Sequence, residues 1–78
     1  MREKKPCIVA TFYTTAEAMA TERLCREKQL TGKLFSLPRS LSADCGIAWQ
    51  SPIALREELQ DALRRAEIET EGFYELSL

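Results

Sequence analysis

Leu37-Pro38-Arg39-Ser40-Leu41-Ser42-Ala43-Asp44-Cys45-Gly46 is the stretch on which the reading of this chain turns. It joins two apolar runs that read as strands. Pro38, Ser40, Ser42, Asp44 and Gly46 supply the turn chemistry that a strand-to-strand connector needs. Such a connector calls for neither an arginine nor a thiol. Arg39 and Cys45 exceed what the turn requires, and Cys45 is the residue on which a functional reading rests.

Working outward, Lys33 to Leu37 reads as one strand, with Pro38 ending it or marking an edge position. Cys45 to Gln50 reads as the next, alternating Ile47 and Trp49 against Ala48 and Gln50, and the large Trp49 is expected to anchor the core against a helix. Upstream, the β-branched and aromatic run Pro6 to Tyr13 reads as a central strand buried on both faces. Thr14 with Glu17 three residues on forms a capping box, so a helix starts there. Its inner face is predicted to carry Ala16, Met19, Ala20 and Leu24, its outer side the i,i+4 pairs Glu22–Arg26 and Arg23–Glu27, and Gly32 is the expected stop. Downstream, Ser51 and Pro52 read as N-cap and first position of a second helix. Leu55, Leu59, Ala62, Leu63 and Ala66 give that helix an apolar stripe, and Glu57, Glu58, Asp61, Arg64 and Arg65 cover its outside. Gly72 precedes a last strand, Phe73 to Leu78, with Tyr74, Leu76 and Leu78 on one face.

The order βαββαβ predicts an α+β protein of ferredoxin-like plan. It is a two-layer sandwich with a mostly antiparallel four-stranded sheet and both helices on one face. Residues 1–78 read as a single domain, without repeats or low-complexity segments.

Composition narrows function. Eleven basic and twelve acidic residues among 78 lack the electrostatic footprint of a nucleic-acid binder. No apolar run approaches the roughly 20 residues that cross a bilayer, and no signal-length hydrophobic region follows Met1-Arg2-Glu3-Lys4-Lys5. The chain reads as cytoplasmic, with neither a nucleic-acid nor a membrane partner. Cys7, Cys25 and Cys45 are widely spaced, an odd count that argues against a disulfide framework. There is no histidine, so Cys-His and Ser-His mechanisms are excluded within one chain, and three isolated thiols make a poor metal site. No metal and no cofactor are expected.

The series Thr11-Phe12-Tyr13-Thr14-Thr15-Ala16-Glu17-Ala18, then Glu22, then Leu37-Pro38-Arg39-Ser40-Leu41-Ser42, then Asp44-Cys45-Gly46-Ile47-Ala48 resembles a small bacterial family, the selenium/sulfur (Se/S) carrier protein-like domains. The resemblance covers nearly the whole chain. Its sharpest motif is matched by Pro38, Arg39, Cys45 and Gly46, with Asp44 adding a negative charge where a small uncharged residue would be expected. It implies a role in handling reduced sulfur or selenium, with donor and acceptor proteins as partners, Cys45 as the carrier thiol and Pro38, Arg39 and Gly46 as binding residues.

The residues are compatible with that role. A carrier needs one accessible thiolate that accepts a terminal sulfur or selenium, and nearby positive charge favours the thiolate. Arg39 is the nearest cation by sequence, six residues away, and Gly46 leaves room beside the sulfur. The partner enzyme can supply the acid–base chemistry, so the absence of histidine weighs against a self-sufficient enzyme and not against a carrier. One expectation opposes it. If the connector lies where both helices finish, their negative ends disfavour a thiolate, and Arg39 with Lys4 or Lys5 must outweigh them.

Plain readings stand beside these. Free cysteines are commonly buried, so Cys45 also reads as a small residue entering a strand, although the polar loop before it favours exposure. Cys7 reads as sheet packing, Cys25 as a partly buried spectator, and Arg39 as a solvated residue or a surface partner of Asp44. The alternative function is a non-catalytic regulatory or interaction module, pairing as a homodimer through the helix-free sheet face. A weaker third is a thiol redox or metal-delivery protein that pairs Cys45 across two chains.

Overall fold

The structure is a computed structural model and describes residues 5–37 and 46–77. Its elements are β1 (Pro6–Thr11), α1 (Thr15–Glu27), β2 (Lys33–Ser36), β3 (Ile47–Pro52), a single 3-10 turn (Ile53–Leu55), α2 (Arg56–Arg65) and β4 (Gly72–Ser77). The sheet order is β2-β3-β1-β4, and each neighbouring pair is antiparallel. Each helical crossover skips one strand, so the architecture is the α+β two-layer sandwich expected, compatible with the ferredoxin-like plan. Both helices cover one face, since Ala18 and Cys25 of α1 and Leu59 and Leu63 of α2 share a cluster with Ile8, Ala10, Phe12 and Trp49.

β1 is central and buried, as its composition implies, but it ends at Thr11, before Phe12 and Tyr13. Complete burial of Ile8, Phe12 and Leu59 contributes about 1.5–3 kcal/mol per side chain. The capping box forms as read. Thr14 Oγ1 accepts from the Glu17 N–H at 3.2 Å, and Glu17 Oε1 accepts from the Thr14 N–H at 3.1 Å.

The inner face of α1 differs from expectation. Ala18, Thr21 and Cys25 are buried, Leu24 only partly so, and Ala16, Met19 and Ala20 face solvent. The sheet already presents Phe12 and Trp49, so the helix packs with its small side chains inward. Buried Thr21 is satisfied within the helix, its hydroxyl donating to the Glu17 carbonyl at 2.9 Å.

Nor does Gly32 stop α1. The helix closes at Lys28, with Gln29 at φ 58°, the Leu30 N–H bonded to the Cys25 carbonyl at 2.8 Å and the Gln29 N–H to the Arg26 carbonyl at 3.3 Å. This pair of bonds is a Schellman motif with glutamine in the left-handed position. Gly32 serves packing instead, because a Cβ there would lie 2.5 Å from both the Gln50 carbonyl oxygen and the Trp49 ring. α2 ends the same way, with Glu67 at φ 58° and the Ile68 N–H bonded to the Leu63 carbonyl at 3.0 Å.

Ser51 and Pro52 do not cap a helix. They continue β3, where Ser51 pairs with Ile8 and Pro52 with Cys7. β2 pairs with β3 only as far as Gln50, so past that residue β3 has a neighbour on one side only, and a proline is tolerated there. Ser51 is buried and accepts the indole N–H of Trp49 at 2.7 Å. The 3-10 turn then leads into α2, which buries Leu59, Ala62 and Leu63 and leaves Ala66 exposed.

Candidate functional site

Pro38, Arg39 and Cys45 lie outside the described residues, and Gly46 is the one predicted site residue inside them. The base of the connector is well defined. Ser36 pairs with Ile47, and one step further the Leu37 N–H donates to the Gly46 carbonyl at 3.0 Å. Gly46 is half-buried with φ +70°.

The register fixes which end of the sheet this is. β3 runs from Ile47 down to Pro52 while β1 runs up from Pro6, with Thr11 opposite Ala48. Gly46 therefore stands where β1 ends, where α1 begins after its cap Thr14, where α2 finishes and where β4 starts. The expectation that both helices finish here is incorrect, because the helices run in opposite directions. One positive and one negative helix end meet at this edge, and the Glu17 carboxylate already occupies the positive one. The suggested help from Lys5 at the start of β1 also fails. Lys5 precedes Pro6, which pairs with Ser77 at the opposite end of the sheet, and Lys4 lies outside the described residues. The basic residues that α2 brings to the Gly46 end are Arg64 and Arg65, both paired with Asp61.

The two described thiols differ from each other. Cys25 is fully buried, and burial pushes its pKa up from 9.0 to about 11, so it remains a thiol at neutral pH. Its burial is more complete than the spectator reading supposed. Cys7 is half-buried, and its sulfur donates to the Lys5 carbonyl at 3.4 Å. A cleft of about 320 Å³ opens beside Cys7, between Lys5, Lys33 and Pro52, and another of about 420 Å³ beside Cys25, both at the end remote from Gly46. Among the described residues no group of three or more His, Cys, Asp or Glu side chains could hold a metal ion. No described helix is long and apolar enough to cross a membrane.

Tyr13 is a surface feature of this end of the sheet. It is exposed, and extending the β1–β3 register two residues beyond Thr11 brings it level with Gly46. In sequence it is masked by the continuous apolar run from Pro6, in which an aromatic following Phe12 reads as more buried strand.

The described elements define a small α+β domain in which residues 38–45 join the end of β2 to the start of β3. Residues 7–75 match the family model described as "Putative Se/S carrier protein-like", and the chain belongs to that family. No curated protein and no solved structure matches it.

Proposed function

We propose that the protein carries sulfur or selenium on Cys45 in persulfide form and passes it to a partner enzyme, acting in the cytoplasm as an accessory protein. The family match over residues 7–75, which contains the Pro38-Arg39 and Cys45-Gly46 series, carries this reading. Of the two described thiols, Cys25 is enclosed and protonated, and Cys7, half-buried, stands at the other end of the sheet from the Cys45-Gly46 series.

The step balances without an external oxidant. The Cys45 thiolate attacks the outer sulfur of a donor persulfide, R–S–SH. A new S–S bond forms to Cys45, the donor's own S–S bond breaks, and the donor leaves as the thiolate R–S⁻. The outer sulfur keeps its oxidation level, and a repeat of the exchange on an acceptor thiolate regenerates Cys45. A donor R–S–SeH would load selenium by the same displacement. Arg39 is the cation assigned to the thiolate, with Pro38 and Gly46 shaping the turn around it. The test is intact mass after mixing with a persulfide-bearing cysteine desulfurase. One added sulfur on the wild-type chain, reversed by reductant and lost in Cys45→Ser, is expected. A gain that survives Cys45→Ser would refute the assignment.

A second reading has its own observation. On the helix-free side of the sheet lie Cys7, Val9, Thr11, Phe35, Ala48, Gln50, Tyr74 and Leu76; Val9, Thr11 and Ala48 are buried, Tyr74 is exposed, and Lys33 is the only charged side chain on that side among the described strand residues. A face so poor in charge suits a homodimer. Sedimentation should then show a dimer that Tyr74→Glu dissociates, and a monomer at all concentrations would remove this reading.

A further inference from the structure

β3 outruns its neighbour at one corner of the sheet. β2 begins at Lys33, opposite Gln50, whereas β3 runs on through Ser51 to Pro52, which pair with Ile8 and Cys7 of β1. The cleft of about 320 Å³ beside Cys7 opens at this corner. By strand alternation Cys7, Lys33, Gln50 and Pro52 all stand on the helix-free side of it. One wall is the chain entering β2 at Thr31 and Gly32, and it runs close to β3, since a Cβ at Gly32 would lie 2.5 Å from the Gln50 carbonyl oxygen. Across from it the Cys7 sulfur donates to the Lys5 carbonyl at 3.4 Å, which ties the Lys5 backbone to the same corner.

Charge sets this cleft apart. Lys5 and Lys33 line it, and no described carboxylate does. Arg26, Arg56, Arg64 and Arg65 each hold an ion pair, whereas Lys5 and Lys33 hold none among the described residues. The neighbouring cleft of about 420 Å³ shares Lys33 but also carries the Glu22–Arg26 pair. Pro6, Pro52 and the half-buried Cys7 give the smaller cleft apolar walls. A concave space of this size, largely apolar and with a few charged groups of one sign, has the form of a small-molecule site.

We propose that this corner cleft binds a small organic acid, with its apolar body against Pro6 and Pro52 and its carboxylate beside Lys5 and Lys33. The two ammonium groups select an anion. The apolar walls favour one with a hydrocarbon part over inorganic phosphate or sulfate. The site stands at the end of the sheet remote from Gly46 and is independent of the carrier reading.

The probes are benzoate and its uncharged isostere benzamide, titrated into the isotope-labelled full-length chain. Benzoate is expected to shift the amide signals of Cys7, Gly32 and Gln50 to saturation, with benzamide bound about fivefold more weakly. Lys5→Gln and Lys33→Gln combined should lower benzoate affinity by about fivefold as well. Lys28→Gln, an exposed lysine outside the cleft, should leave it unchanged. Cys7 supplies a second readout. Iodoacetate and iodoacetamide attack the same thiolate, so the ratio of their rates does not depend on its ionisation and reports whether the cleft favours an anion. That ratio at Cys7 should be higher in the wild type than in the double lysine variant. Equal affinity for benzoate and benzamide would overturn the proposal, as would shifts that never saturate or that centre on Tyr74. Weakening by Lys28→Gln as large as by the double substitution would overturn it too, in favour of diffuse surface charge. So would an alkylation ratio that the lysine substitutions leave unmoved.

Discussion

Trp49 donates its indole N–H to the hydroxyl of Ser51 at 2.7 Å inside the core, two residues along the same strand. Both side chains point toward the helices, and both are almost wholly buried. A buried indole N–H without an acceptor keeps its desolvation cost, so Ser51→Ala should destabilise the fold by about 1–3 kcal/mol. Urea denaturation followed by Trp49 fluorescence measures this. An unchanged midpoint would show that the bond contributes nothing net.

The three thiols should separate by reactivity. Cys45 should alkylate first in the native protein, Cys7 more slowly, and Cys25 only on unfolding, as it has no exposed surface. Peptide mapping after a timed iodoacetamide pulse gives the order. Native labelling of Cys25 ahead of Cys45 would contradict both the core packing and the carrier assignment.

Cys25 also ties stability to alkaline pH. Its thiol ionises near 9.0 when unfolded and near 11 when folded, so between these values the folded chain holds a proton that the unfolded chain has released. The stabilisation is fully present below pH 9 and declines as pH rises through that window. Cys25→Ala should remove this part of the decline, read as the difference in urea midpoints between pH 8 and pH 10.5 for the two proteins.

Both helices place a residue with a side chain where glycine is favoured. Gln29 and Glu67 each hold φ 58° at the close of a Schellman motif. Gln29→Gly and Glu67→Gly should each relieve up to about 1 kcal/mol of left-handed strain, reduced by glycine's greater freedom in the unfolded chain. Each should raise the melting temperature by a few degrees, about 4–8 °C per kcal/mol for a domain of this size. Calorimetry on the single and double variants checks this, and additivity is expected because the two sites end different helices.

Local signals were legible in the sequence wherever the physics is local. The capping box of Thr14 and Glu17, the stripe of Leu59, Ala62 and Leu63, and the order βαββαβ all depend on residues within a few positions of one another. The family resemblance rests on a stretch of the same local kind, Leu37 to Gly46, and the match over residues 7–75 bears it out.

Tertiary structure decided what depends on distant partners. The inner face of α1 is Ala18, Thr21 and Cys25 because Phe12 and Trp49 already fill the space beneath it, and no window along the helix contains that information. Gly32 is a packing residue for the same reason, and Ser51 joins a strand because Ile8, more than forty positions away, pairs with it. The charge around the connector follows from the opposed directions of α1 and α2, which only the completed sheet fixes. Sequence sets each segment's own preference, and the sizes and directions of the neighbours set which preference prevails.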